Sequence, residues 1–410
     1  MSSSRASVLA SLANLRHRSL AKRLAQGLRA PAAVSIAALT ESAQNLTPIK
    51  NLRNAQLLYD ELIARRASMV ACMLRLPEEI REQAHVAALT EAQHSRLLRL
   101  LRSQRPRSHE EVERFDAELR AWRDDGDDHD GESRRAIGAA LGEVASDGDQ
   151  QARRGERGDP SEWQKRLDAQ LDGVFAAHIG IAFLTNHYLA AKAPQRDGWS
   201  GSVQLACSPW ERCARMARLV EERCVARFGR APRAELHPEP HGPPQGRGFP
   251  FAPEHMDLVL HELLMNASKA TLRHHALREL LPPMRVVVAA GDAEVTIKVA
   301  DEGGGLPRSR LRGVWSYRGR WVGGHADPAL QGKADLHGLG LPIARLYAKY
   351  FGGSLHLTPV EGYGTDCYAT FTSRADASCA SLLALGANQA GHSANVGGVG
   401  EGLYDAQARR

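Results

Sequence analysis

Glu262 and Asn266 stand four residues apart in His261-Glu-Leu-Leu-Met-Asn-Ala-Ser-Lys269, so on a helix they share one face. A carboxylate there can accept a proton from an attacking hydroxyl or water. Magnesium is a hard cation that keeps its waters and takes one or two protein oxygens beside phosphate oxygens, so one amide oxygen suffices for it. About three dozen positions later, Asp301-Glu-Gly-Gly-Gly305 closes a valine-rich run. A carboxylate at the end of a strand can accept a hydrogen bond from the exocyclic amino group of adenine. Gly303 and Gly305 lack Cβ atoms, which lets a ring or phosphate approach the main chain. Gly338-Leu-Gly340-Leu-Pro342 then places two glycines before a helix with Pro342 in its first turn, where free N–H groups and the helix dipole favour phosphate oxygens. Any one of these segments is common. Their order points to an ATP site holding the nucleotide at both ends.

These residues need elements to carry them. The apolar spacing predicts a helix from about Pro253 to Leu277 under the Glu-Asn pair and a second from Pro342 to Tyr350. Strands are expected at Arg285 to Ala290 and Glu294 to Ala300, joined by Gly291-Asp292, and at Ser354 to Thr358 and Cys367 to Phe371. Helices on one side of a mixed sheet make an α/β sandwich. Pro209 to Phe228 reads as one connecting helix, and Pro232 to Phe251 is interrupted by prolines and glycines. Further upstream, Leu52, Leu57, Leu62-Ile63, Met69-Val70 and Met73-Leu74 recur at helical spacing between Leu46 and Arg102. Leu167, Leu171, Val174-Phe175, Ile179 and Phe183 do the same between Trp163 and Leu189. An antiparallel helical bundle follows. Asp124 to Gly131 and Asp147 to Asp159 read as solvated insertions, and residues 375–410 as a flexible tail.

A chain of 410 residues exceeds the size at which one core stops growing, so two domains are expected. The net charge of +6 is spread without a basic cluster interleaved with aromatics, which argues against nucleic-acid binding. No run of 18 or more apolar residues suggests a transmembrane segment. Cys72, Cys207, Cys213, Cys224, Cys367 and Cys379 form no Cys-x-x-Cys pair, which speaks against a disulfide framework and structural zinc. Before Glu41 the chain carries Arg5, Arg16, Arg18, Lys22, Arg23 and Arg29 with several serines and no acid, the composition of a mitochondrial transit peptide. Leu20, Leu24 and Leu28 also fit a first amphipathic helix, and both readings hold if cleavage falls before about residue 18.

Four stretches carry a family resemblance: Glu262 to Thr271, Asp301 to Gly305, Gly340 to Leu355, and Glu361-Gly-Tyr-Gly-Thr365-Asp366. They resemble the mitochondrial 2-oxoacid dehydrogenase kinases, the pyruvate and branched-chain kinases of the GHKL group that also includes histidine kinases, Hsp90, gyrase and MutL. Leu20-Ala-Lys-Arg, Leu76-Pro77 and Ala177 to His187 extend the likeness over residues 18–374. The resemblance implies an α+β protein: an N-terminal four-helix bundle followed by a Bergerat-type (GHKL) α/β sandwich. The implied domains are a transit peptide at 1–17, a helical bundle at 18–200, an ATP-binding kinase domain at 201–374 and a tail at 375–410. It implies transfer of the ATP γ-phosphate, with magnesium, to serines of the E1 component in the mitochondrial matrix. Lipoyl-bearing E2 and a second copy of the chain are the further partners. By position, Glu262 would be the general base, Asn266 the magnesium ligand, and Asp301 and Thr365 the adenine contacts. Lys269, Gly303, Gly305, Leu306, Gly338, Leu339 and Gly340 would line the nucleotide.

The chain departs from the family pattern in several places. Met265 stands where a lysine precedes the magnesium asparagine, Lys269 stands in place of arginine, and Leu336 replaces a glycine of the phosphate loop. Loss of a cation near the phosphates weakens charge neutralisation and so reduces turnover. Tyr317 to Asp335, the family's ATP lid, is shortened and altered, and the tryptophan-containing ending of the pyruvate kinases is missing. Phe228 to Pro232, Phe249 to Pro253 and Gly352 to Leu355 look more like the branched-chain member. Three other readings compete: a nucleotide-binding adaptor without transfer activity, a histidine autokinase using His178 or His187, and a chaperone- or topoisomerase-type ATPase. The second lacks an acid after either histidine, and the third lacks room for further domains.

Overall fold

The computed structural model describes residues 31–124, 133–142, 160–194, 196–238, 248–291, 293–317 and 339–373. The segments expected to be a transit peptide, solvated insertions, most of an ATP lid and a tail, together with Leu336 and Gly338, lie outside the described residues.

The first half is helical. α1 (Ile36–Ala43) leads into α2 (Pro48–Leu74), whose start is set by Pro48 in the first turn and by Thr47, its hydroxyl accepting the Lys50 N–H at 3.3 Å. A short α3 (Glu78–Arg81) and α4 (Ala84–Arg102) follow, so the run from Leu46 to Arg102 is a pair of long helices with a brief turn of helix between them. α5 (His109–Asp124) was not apparent from the apolar spacing used above. Its signal is a capping box: Ser108 Oγ accepts the Glu111 N–H at 3.3 Å, and the Glu111 carboxylate reaches back to the Arg107 N–H at 2.6 Å. Val112, Phe115, Leu119 and Trp122 then form its buried stripe. After a helix over 133–142 (α6) comes α7 (Pro160–Lys192), which packs against α1, α2 and α5. The helices α2, α4, α5 and α7 make the expected bundle. One correction concerns α7. Its segment Glu162–Lys192 is long and apolar enough to cross a membrane, contrary to the sequence expectation. Most of its apolar window is buried inside the protein, as befits the central helix of a bundle.

The second half is built on a five-stranded mixed sheet. β3 (Ala234–Pro238) runs parallel to β5 (Met284–Ala290), while β5, β6 (Glu294–Asp301), β8 (Gly364–Thr372) and β7 (Ser354–Val360) are antiparallel, in the order β3-β5-β6-β8-β7. Alternate residues face inward: Val295, Ile297, Val299 and Asp301 on β6, and Thr365, Cys367, Ala369 and Phe371 on β8. Against this sheet pack α8 (Pro209–Phe228), α9 (Pro253–His274) and α11 (Gly340–Tyr350), α11 following a short α10 (Arg308–Leu311) and a 3₁₀ turn (Arg312–Trp315). α8 lies against α9 and is part of this layer rather than a connector. Its ends are those its sequence dictates: the Ser208 hydroxyl caps the start, and Gly229 closes it with φ of 73°, a left-handed value that suits a residue without Cβ.

A second sheet was missed because its strands are very short. β1 (Trp199–Ser200), β2 (Val203–Cys207) and β4 (Phe249–Phe251) pair antiparallel. The β1–β2 hairpin lies across the expected domain limit at residue 200 and is tied to α7, where His187 Nδ1 accepts the Ser202 N–H at 3.2 Å. An aromatic cluster joins the halves: the Phe183 ring of α7 meets the edges of His255 at 5.0 Å and Phe351 at 5.3 Å, and Phe251 connects Phe351 to Phe371.

Candidate nucleotide site

α9 carries the proposed base and metal ligand. Leu263, Leu264, Ala267 and Ser268 face the core, which leaves Glu262, Asn266 and Lys269 on the half-buried opposite face. The shared face expected from the i, i+4 spacing is therefore present. His261 Nδ1 lies 3.7 Å from Glu262 Oε1, and its Nε2 accepts a hydrogen bond from Arg223 of α8 at 2.7 Å. With Nε2 occupied as an acceptor, the ring hydrogen sits on Nδ1, facing the Glu262 carboxylate. Met265 points to α8, its sulfur 3.9 Å from Cys224 Sγ.

At the other end, Asp301 closes β6 opposite Thr365 of β8. Both are buried, and Asp301 Oδ1 accepts the Gly303 N–H at 2.8 Å. Burial pushes the Asp301 carboxyl above the ordinary carboxylate range, opposed by hydrogen bonds from the Gly303 and Thr365 main chain. The same burial pushes the neighbouring Cys367 thiol up to about 12, so it stays neutral. The glycine turn is held on two sides: Gly304 N–H donates to Tyr363 O at 3.0 Å, and Gly362 N–H to Gly304 O at 2.9 Å.

The glycines earn their place for a reason the sequence did not suggest. A Cβ on Gly303 would stand 2.5 Å from Ala270 Cβ of α9, and one on Gly305, where φ is +64°, would strike the carbonyls of Val360 and Gly364. Both positions demand glycine through protein packing before any ligand is considered. A Cβ on Gly340 would fall on the Glu262 carboxylate, which shows that Glu262 lies against the start of α11. Gly340 is the first residue of that helix rather than a residue before it. Leu339 is fully buried, so the structure leaves it no open surface for a ligand, and Leu306 is half-buried beside the glycine turn. Glu262 thus meets the start of α11, with Asn266 one turn further along α9, while Asp301 pairs with Thr365 and Gly303 packs on Ala270.

Family comparisons match both halves. Residues 252–375 match the family described as histidine kinase-, DNA gyrase B- and HSP90-like ATPases, and residues 33–204 match that of the mitochondrial branched-chain alpha-ketoacid dehydrogenase kinases. The chain is thus similar to the branched-chain kinases in its helical half and to this ATPase group in its sheet half. Among its relatives, a mitochondrial pyruvate dehydrogenase (acetyl-transferring) kinase of Arabidopsis thaliana is 33% identical over 207 residues, 48% of this chain and 55% of the relative. Its Schizosaccharomyces pombe counterpart is 32% identical over 216 residues, 48% of each chain. The human isozyme 1 is 32% identical over 209 residues, 48% of this chain and 47% of its own. The chain thus spans about half the length of the curated relatives it matches.

The residues present fit magnesium. Among the described residues no group of three or more His, Cys, Asp or Glu side chains could hold a metal. A metal here would take most of its ligands from phosphate and water with one amide oxygen from Asn266, which is the habit of magnesium.

Away from this site, a cavity of about 190 Å³ opens in the helical half among α1, α2 and α7. Its walls are mainly apolar, with Leu39, Leu58, Leu184 and Tyr188 among them.

Proposed function

We propose that this protein is a protein-serine/threonine kinase that uses ATP and magnesium to phosphorylate, and so inactivate, the E1 component of a mitochondrial 2-oxoacid dehydrogenase complex. The observation carrying this reading is the approach of Glu262 to the start of α11, with Asn266 one helical turn away on α9 and Asp301 paired with Thr365 at the strand ends. Asp301 accepts the exocyclic amino hydrogen of adenine, and Thr365 stands beside it. The first-turn N–H groups of α11 point to the phosphates. Asn266 holds the magnesium ion, which when bound neutralises phosphate charge. Glu262 takes the proton of the substrate serine as its oxygen bonds to the γ-phosphorus and the bond from that phosphorus to the β-phosphate oxygen breaks, releasing ADP; His261, oriented by Arg223, holds the base in place. Lys269 lies one turn beyond Asn266 and adds positive charge to that face.

The partners are E1, lipoyl-bearing E2 and a second copy of the chain, in the mitochondrial matrix. The names of the relatives support the complex and the compartment. Purified protein, labelled ATP and the pyruvate and branched-chain E1 proteins form the test. The reading expects acid-stable phosphoserine on one of the two E1 proteins, lost in Glu262→Gln. No transfer to either E1, with ATP binding intact, would favour the adaptor reading instead. A histidine autokinase is disfavoured by burial: His178 and His187 are both 4% exposed, and the two His187 ring nitrogens are engaged with Leu39 O, Ser42 Oγ and the Ser202 N–H.

A further inference from the structure

Asp168 and Asp172 lie four residues apart on α7 of the helical domain, far in sequence from the residues assigned to nucleotide, and project to the other half of the molecule. The Asp168 carboxylate accepts the Ser316 hydroxyl at 2.9 Å and the Tyr317 N–H at 3.1 Å. Asp172 accepts the Tyr317 hydroxyl at 2.8 Å. Gln164, one turn before Asp168, donates to Ser316 Oγ at 2.5 Å. The Tyr317 ring is fully buried and stacks on Phe175 of α7, centroids 5.5 Å apart and planes 21° apart. Five contacts thus fasten two consecutive residues to one helix.

The place of this fastening matters more than its number of bonds. Ser316 and Tyr317 lie on the segment that starts at Asp301 and passes through the glycine turn. On its other side the fastening meets α11, whose first residue abuts Glu262: Arg345 and Lys349 of α11 act electrostatically on Asp172, and Arg345 covers the Trp315 ring at 5.1 Å. Arg134 of α6, buried in the same region, acts on both Tyr317 and Glu262. α7 therefore holds the chain that leaves the adenine contact and braces the helix that begins at the phosphate end. Burial pushes the Asp168 carboxyl up to about 6, so it still carries its charge at neutral pH and accepts both donors.

We propose that Asp168 and Asp172 are positioning residues of the nucleotide site, through which the helical domain sets the geometry of its phosphate end. The inference rests on the nucleotide reading above. It places no weight on contact with the ligand, since both carboxylates act through Ser316, Tyr317 and α11.

The test compares ATP with magnesium against adenosine, which reaches only the adenine end, by calorimetry and competition binding on the full chain. Asp168→Asn with Asp172→Asn is expected to weaken ATP binding about tenfold, equivalent to ~1.4 kcal/mol, and to leave adenosine binding within about twofold. Tyr317→Phe, which removes one hydroxyl and keeps the ring, is expected to shift the same ratio about threefold. It decides the matter if the double variant does not fold. Equal losses for ATP and adenosine, or no loss in either variant while Asp301→Ala abolishes binding, overturn the inference and leave the nucleotide reading standing. Absence of ATP binding by the unaltered chain overturns both.

Discussion

The two ends of the proposed nucleotide site are made differently. At the adenine end, Asp301, Gly303, Gly304 and Thr365 come from two neighbouring strands and the turn between β6 and α10, and main-chain hydrogen bonds hold each of them. At the phosphate end, Glu262 comes from α9, Gly340 from α11, and the side chains bracing them from α7 and α8. The first end is a local product of strand pairing. The second depends on how separate helices pack, so it is the end that tertiary change can alter.

The sharpest test of this contrast is chemical. Glu262→Gln keeps the size of the side chain and removes its capacity to take a proton. Transfer to E1 should fall by about 10²–10⁴-fold while ATP affinity stays within a few-fold, measured by single-turnover phosphorylation beside calorimetry. A large loss of affinity as well would mean that Glu262 belongs to binding rather than to proton transfer.

At the adenine end the expected result is the reverse. Asp301→Ala removes the acceptor for both the Gly303 N–H and the proposed adenine amino group, so ATP and adenosine should both bind at least about tenfold more weakly. If adenosine binding survives, the adenine contact lies elsewhere. Gly305→Ala probes the same end through the fold. At φ of +64° with carbonyls where its methyl would go, alanine should cost about 1–3 kcal/mol in urea unfolding.

Acid acts on the scaffold shared by both ends. Burial lowers His187 to about 4 and His255 to about 3, below the usual histidine value. Between pH 6.5 and about 4 the unfolded chain takes up protons that the folded chain refuses, so these two groups make stability fall as pH falls. Asp168 acts oppositely: with its carboxyl raised to about 6, the folded state holds a proton that the unfolded state has released, so its contribution improves as pH falls from 6 toward 4. Burial raises Asp172 and Asp301 as well, and they act with Asp168, so the histidine contribution is read from a variant: the stability difference between pH 5 and pH 7 in urea unfolding should shift in favour of pH 5 when His187 is replaced. His187→Gln should shift that difference by on the order of 1–3 kcal/mol.

The smallest effect is expected at Met265. Its sulfur faces Cys224, toward α8, so a lysine there must turn its ammonium away from that contact to reach the phosphates. Met265→Lys should change turnover by less than about tenfold. A larger gain would show that the phosphate end lacks a cation that the other bracing residues do not replace.

Much of this architecture was legible in the residues. α8, α9 and the strands β5 to β8 follow from apolar spacing, proline and glycine punctuation and a serine cap, because those signals act within a few residues of the bond they form. α5 was legible too, in its Ser108-Glu111 capping box, although apolar spacing alone passed over it. β1, β2 and β4 were not, since strands of two to five residues gain their stability from partners distant in sequence.

The same division holds for the site. The sequence by itself determined which groups are available: a carboxylate and an amide one helical turn apart, an aspartate at a strand end, and glycines at the turns. Only the tertiary structure decided that Gly303 and Gly305 are required by Ala270, Val360 and Gly364, that Glu262 rests against the start of α11, and that Asp168 and Asp172 grip Tyr317. The physical reason is range. Backbone preference and periodicity are properties of neighbouring residues, whereas a close approach between two helices or across two domains exists only after packing has fixed their separation.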